Sequence, residues 1–211
     1  MKVLQKYDVL IFDLDGLIID SLDNLSNSLV GAVSKFGNRE QVQAFQVYDQ
    51  ANPGFSRFEK IDYFARTILQ DLNFDQKVIL REFDTQSYIA RVNSPLSPYI
   101  HKLKEAFKEK IWVLLTNCDV SQIGKVSKEL DLVRIFGDNL VGTPPSKNLR
   151  AAELRAKYSN HKVLSISDSE SDGIIALENK FDFLFIEEYS RGDAGWSIDN
   201  YLKVNSLQDL L

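Results

Sequence analysis

The sequence predicts an α/β protein: a Rossmann-like, mostly parallel sheet with helices on both faces, plus an all-helical domain inserted after the first strand. Three observations carry this expectation. The apolar run Val9-Leu10-Ile11-Phe12 ends at once in Asp13-Leu14-Asp15-Gly16. A long stretch of purely helical periodicity follows it, and from about residue 95 short apolar runs alternate with amphipathic segments, as in successive βαβ units.

The first run is rich in β-branched and aromatic residues and has no polar face, which suits a strand covered on both sides. Side chains alternate along a strand, so Asp13 and Asp15 begin on one side of the chain, and Gly16 frees the backbone to turn away. Open parallel sheets bind ligands just beyond the carboxyl ends of their strands, where this pair falls. A helix cap needs only one carboxylate. Two crowded carboxylates repel each other unless a cation or a shared proton relieves them, so the pair points to a metal. A calcium loop is excluded, because Gly16 directly follows the second Asp and a strand rather than a helix precedes the first.

Residues 17–94 read as helical. Leu22, Leu25, Leu29, Val33 and Phe36 form one apolar stripe before Gly37-Asn38, and Val42, Phe45 and Tyr48 form a second that reaches the turn signal Asn52-Pro53-Gly54. Ser56-Arg57-Phe58-Glu59 has capping-box spacing and opens a third helix with Ile61, Ala65, Ile68 and Leu72. Asp75 can cap a fourth, through Ile79, Phe83 and Ala90, ending near Asn93-Ser94-Pro95. The expected domains are therefore a core of residues 1–16 and 95–211 and an insert of residues 17–94.

The remainder alternates. Ser97-Pro98 starts a helix through Ile100, Leu103 and Phe107; Ile111 to Leu115 is a buried strand ending in Thr116-Asn117; a helix with Ile123, Val126 and Leu130 follows. A short strand is expected around Val133–Phe136 or Asn139–Val141, then the Gly142-Thr143-Pro144-Pro145 loop and a helix over Ser146–Tyr158. Val163 to Ile166 forms a strand ending at Asp168, Gly173–Asn179 a helix, Phe183 to Ile186 another strand, and Leu207–Leu211 the last element. The turn-rich segment Ser190–Trp196 has no assigned role.

With 211 residues and 44% hydrophobic composition the chain can bury a real core. A net charge of −5 and a pI near 5.1 argue against a nucleic-acid partner, and no signal-peptide core or membrane span can be drawn, so a cytoplasmic protein with no membrane partner is expected. One cysteine, Cys118, and two histidines, His101 and His161, leave no disulfide and no zinc cluster to assemble. Catalysis must then rest on carboxylates, hydroxyls and lysine.

A sheet of this kind brings three strand ends together: Asp13 with Asp15, Thr116 with Asn117, and Asp168 with Asp172, joined by Lys147 from a helix start. The set suits phosphoryl transfer, where an anionic phosphoester must be neutralised before an anionic nucleophile approaches. Mg²⁺ is the fitting cofactor, since it takes hard oxygen ligands from one or two carboxylates together with water and phosphate oxygens. Asp13 is the expected nucleophile and Asp15 the acid/base; the Thr116 hydroxyl and the following amide of Asn117 would hold phosphoryl oxygens, and Lys147 would supply fixed positive charge. Each piece alone has an ordinary structural reading as a turn, a cap or a solvated lysine; their order along the chain is what favours the functional one.

On these residues the chain resembles the haloacid dehalogenase-like (HAD) phosphatases over essentially its full length. Phe12-Asp13-Leu14-Asp15-Gly16 is similar to that superfamily's first motif, Leu114-Leu115-Thr116-Asn117 to its second, Lys147 to its third, and Ser167-Asp168-Ser169-Glu170-Ser171-Asp172 to its acidic fourth. The resemblance implies Mg²⁺ held by Asp13, the Asp15 carbonyl and Asp168, with Asp172 direct or through water, and a mobile cap over residues 17–94. It also implies phosphatase rather than dehalogenase activity, since dehalogenases lack the second Asp. Within the superfamily it points to relatives of phosphoglycolate phosphatase and β-phosphoglucomutase. The chain departs in having Leu17 where many members have Thr, Ser167 in place of Gly, and Lys147 after two prolines rather than ahead of one. Residues 52–60 resemble the substrate loop of capped phosphatases, making Ser56 and Arg57 candidate substrate ligands beside their helix-capping reading. The expected substrate is a small phosphorylated metabolite, the alternatives being a phosphomutase and a non-catalytic binding module, and the expected assembly a monomer or small homo-oligomer.

Overall fold

The computed structural model describes residues 3–52, 55–192 and 195–211, so the Pro53-Gly54 turn signal and residues 193–194 of the 190–196 loop lie outside the described residues. The chain divides into two units, Met1–Asp20 with Pro95–Leu211, and Ser21–Ser94.

The first unit is built on a parallel sheet of β1 (Val9–Phe12), β2 (Ile111–Asp119), β3 (Leu140–Thr143), β4 (Val163–Ser167), β5 (Asp182–Ile186) and β6 (Leu202–Val204), in the order β3-β2-β1-β4-β5-β6. This is the doubly wound order of Rossmann-like folds, in which the strand sequence reverses beside β1 and leaves a crevice at the carboxyl ends. All four β1 residues are buried, as their uninterrupted apolar run requires. On one side Phe12 stacks on Trp112 at 4.5 Å, and Phe136 meets both rings at 6.0 Å. On the other, Val9, Ile11, Val113 and Leu115 pack with Ala151, Leu154 and Ala176. These last three residues lie on α8 (Lys147–Lys157) and α9 (Glu170–Glu178).

The remaining helices of this unit are α5 (Ile100–Ala106), α6 (Ile123–Glu129) and α7 (Val133–Phe136). Of the two places considered for the third strand, Asn139–Val141 is the one that lies at a strand, and Val133–Phe136 is one helical turn burying Ile135 and Phe136. The strand β2 runs on through Thr116, Asn117 and Cys118 instead of ending before them. Its pairing with β3 shifts register between Leu115 and Asp119, an irregularity of the bulge type that lets the strand continue while re-aiming its side chains. Gly142 is required there, because a Cβ would stand 2.8 Å from the Cys118 carbonyl oxygen. β6 has no counterpart in the expected elements; it is three residues long and mostly exposed, with no apolar run to announce it.

After Asp15 the chain folds back sharply. Gly16, at φ +82°, donates to the Ile19 carbonyl, and Ile18 and Ile19 donate to Leu14. Leu17, Ile18 and Ile19 are buried, Ile19 bridges Leu96 and the Asp20 amide bonds to Pro95, so residues 17–20 fall with the sheet unit, and the helical unit is Ser21–Ser94.

The second unit contains α1 (Leu22–Val33), α2 (Arg39–Ala51), α3 (Arg57–Tyr63) continuing as a π-helical turn over Phe64–Ile68, and α4 (Lys77–Val92). Leu29, Val33, Phe45, Phe64, Ile79 and Phe83 are among its core residues. Asn38 and Ser56 each close a capping box, with Gln41 and Glu59. A buried pair, Lys60 Nζ to Asp49 Oδ1 at 2.7 Å, is completed by Ser26 Oγ, which donates to the other Asp49 oxygen. No helix among the described residues is long and apolar enough to cross a membrane.

Candidate active site

The carboxyl ends of β1 and β4 are neighbours in the sheet, and the Asp13 amide extends that pairing by donating to Ile166. Asp13 therefore stands beside the start of the Ser167-Asp168 segment. Lys147 enters from the first position of α8, whose amino end is fixed by Ser146 Oγ accepting the Leu149 amide. Its ammonium lies 2.9 Å from Asp13 Oδ1 and 2.7 Å from Asp172 Oδ2, with only 6% of the side chain exposed. Asp172, on the first turn of α9, takes a second hydrogen bond on the same oxygen from Ser167 Oγ, which also reaches Asp168 Oδ1 at 3.4 Å. Arg150, one turn along α8, donates to the Gly142 and Pro144 carbonyls and so holds the loop that delivers Lys147.

This cluster is electrostatically unbalanced. Asp13, Asp168 and Asp172 are three carboxylates against the single ammonium of Lys147, all of them mostly buried, and Asp15 adds further negative charge beside Asp13. Burial, together with the Asp172 and Asp15 carboxylates and against the pull of Lys147, pushes the Asp13 carboxyl up to about 7. Asp168 is raised well above the usual carboxylate range by burial and by its neighbours Asp13 and Asp172. Burial works against charge on Lys147, but Asp13 and Asp172 outweigh it and hold its pKa above the ordinary lysine value.

The donor set fits Mg²⁺. Among the described residues no three carboxylate, histidine or cysteine side chains converge as a ready-made coordination cage. Magnesium does not need one, since it is usually bound by one or two carboxylates and completes its shell with waters and substrate oxygens. Asp13 and Asp168 are such a pair, the Asp13 carboxylate acting against charge on Asp168, and the cluster's excess of carboxylates over cations is what a dication would relieve. Asp172 differs from the other two, because its Oδ2 is taken up by Lys147 and Ser167.

Thr116 is fully buried, and its Oγ1 accepts the Cys118 amide at 3.1 Å, which orients the hydroxyl. Asn117 is half-buried, its carbonyl accepting from Thr143 Oγ1 at 3.1 Å. Cys118 is buried, and His101 and His161 are exposed. Ser56 and Arg57 have structural engagements of their own. Ser56 Oγ accepts the Glu59 amide, while the buried Arg57 lies with its guanidinium 4.4 Å from the Phe58 ring centroid and its Nε 3.7 Å from Asp84 Oδ1. Ser56 thus closes the helix cap that its spacing predicts. Sequence reasoning missed Ser167; its replacement of Gly in the fourth motif was the one available signal.

No protein-family model and no curated protein sequence matches this chain. Solved structures do. A haloacid dehalogenase-like hydrolase from Streptococcus pneumoniae superposes with a TM-score of 0.69 at 17% identity, covering 98% of both chains. A predicted phosphoglycolate phosphatase from Haemophilus somnus gives 0.69 at 19% identity, covering 98% of this chain and 97% of its own. A predicted phosphatase from Clostridium acetobutylicum gives 0.68 at 18%, covering 97% and 96%. The chain has the fold of the HAD-like hydrolases over nearly its whole length.

Proposed function

We propose that this protein is a magnesium-dependent phosphatase that hydrolyses a small phosphorylated metabolite through an aspartyl-phosphate intermediate. The observation that carries the reading is the cluster at the β1 and β4 ends: a buried carboxylate, Asp13, held by Lys147 at 2.9 Å beside Asp168, in an otherwise carboxylate-rich group at a strand end of a HAD-like fold. A chain with no such chemistry to perform has no physical use for three buried carboxylates that repel one another.

Mg²⁺, when bound, would be held by Asp13, Asp168 and the Asp15 carbonyl and would supply charge neutralisation for the phosphoryl oxygens. Asp13 attacks phosphorus as its carboxylate, the bond from phosphorus to the leaving oxygen breaks, and Asp15 protonates that oxygen. Asp15 then takes a proton from water as it attacks the phosphoaspartate, and inorganic phosphate leaves with Asp13 restored. Lys147 and the Thr116 hydroxyl neutralise and orient phosphoryl oxygens, and Asp172 with Ser167 holds Lys147 in place. A phosphate-release screen over phosphorylated sugars and phosphoglycolate, with magnesium and with excess chelator, tests the proposal. Release should require magnesium and no bisphosphate activator, the latter separating it from a mutase; undiminished turnover in chelator overturns it.

A further inference from the structure

At the opposite end of the sheet, the amino ends of β1, β4 and β5 surround a cavity of about 330 Å³. Its walls carry Lys6 from just before β1, Lys162 from just before β4, Lys180 from just before β5, and Arg155 from α8. Among the described residues the only acidic group lining it is Asp182, and the Tyr7 phenol hydrogen-bonds to that carboxylate. Four cations against one carboxylate is a local reversal of sign in a protein whose net charge is −5.

The cations are also available. Among the described residues the ammonium groups of Lys6, Lys162 and Lys180 form no ion pair or hydrogen bond. Arg155 is held rigidly by Nη2 donating to the Tyr158 and His161 carbonyls, so its guanidinium is fixed at the rim before any ligand arrives. Like charges gathered without partners cost stability, and an anion bound between them removes that cost. The cavity volume lies at the lower end of the range for small-molecule sites. Three lysines from three separate segments, facing one space, suit more than one anionic group.

We propose that this cavity binds a small anion carrying two or more phosphate groups, at a site separate from the catalytic cluster. Four or five residues of strand, roughly 13–17 Å, separate the two ends of β1 and β4. The inference does not depend on the phosphatase reading, because its residues and its test are independent of turnover.

Inorganic pyrophosphate is the probe, titrated by calorimetry into the full chain in chelator, so that no bridging metal recruits it to the carboxylate cluster. Saturable binding at one site is expected, weakening as salt rises. Lys6→Gln, Lys162→Gln and Lys180→Gln should each lower affinity about fivefold, and the triple variant on the order of a hundredfold, as exposed charge contacts allow. The three lysines are exposed and repel one another, so the triple variant should unfold at or above the wild-type temperature. Pyrophosphate binding that is absent, or unchanged in the triple variant, overturns the proposal. So does lysine-dependent binding of a single-stranded oligonucleotide or of anionic phospholipid vesicles in place of pyrophosphate, which would make the cavity part of a macromolecular surface.

Discussion

Replacing Asp13 by Asn should abolish phosphate release and at the same time stabilise the metal-free protein at alkaline pH. The Asp13 carboxyl titrates near 7 in the folded chain against 3.8 as its ordinary value, with burial the largest cause and the Asp172 and Asp15 carboxylates adding to it. Between these two values the folded state holds a proton that the unfolded state has released. Stability contributed by that proton is complete below about pH 4, declines as pH rises, and is gone above about pH 7. At pH 8 the ionised group then costs the wild-type fold up to about 4 kcal/mol, at roughly 1.4 kcal/mol per pH interval. Asn carries no charge and has the same shape, so the variant escapes this cost and still accepts a hydrogen bond from Lys147. For a chain of this length 1 kcal/mol moves the midpoint by about 2–4 °C, so thermal unfolding in chelator should show the variant higher by up to roughly 8–16 °C at pH 8 and by much less at pH 5. Magnesium should raise the wild-type midpoint at pH 8 and leave the variant nearly unchanged. A variant less stable than wild type at pH 8 in chelator would refute this reasoning, because it would mean that Lys147 more than compensates the buried charge.

Asp15→Asn should slow turnover by about 10²–10⁴, with aryl phosphates least affected in the first step because their leaving groups need no proton; burst-phase kinetics on p-nitrophenyl phosphate check this. Lys147→Met leaves Asp13 and Asp172 buried without their cation, so denaturant unfolding in chelator should show a loss of about 3–5 kcal/mol, and phosphate release should fall to near background. Ser167→Ala removes one of the two donors to Asp172 Oδ2, and a loss of about 1–2 kcal/mol is expected with kcat lowered more than KM raised; rescue by Thr would support the hydrogen-bonding role. Arg57→Ala should lower stability by about 1–3 kcal/mol through the lost packing on Phe58 and the Asp84 partner, with equal proportional effects on a natural substrate and on p-nitrophenyl phosphate. A loss confined to the natural substrate would mark Arg57 as a substrate ligand.

By itself the sequence determined the architecture and the chemistry-bearing strand end. Val9–Phe12 is buried on both faces because its run is apolar throughout, and the carboxylates that follow it could only fall at a carboxyl end of the sheet. These are local properties: period, composition and a turn residue are written in neighbouring positions. The capping box at Ser56 was legible for the same reason. Tertiary structure decided what local pattern cannot carry. Strand order puts Asp13 beside Ser167-Asp168, and only then does a lysine far along the chain bridge Asp13 and Asp172. The β2–β3 register shift keeps Thr116 and Asn117 inside a strand that the apolar run alone would have ended at Leu115, since a bulge is a property of a pair of strands and not of one. Ser167 reads only as a replacement of Gly until Asp172 closes on it, and nothing local in the sequence announces that Arg57 packs on Phe58 and lies beside Asp84. In each case the deciding partner is distant in sequence or selected by packing, and side-chain periodicity reports which face a residue occupies but not which residue meets it there.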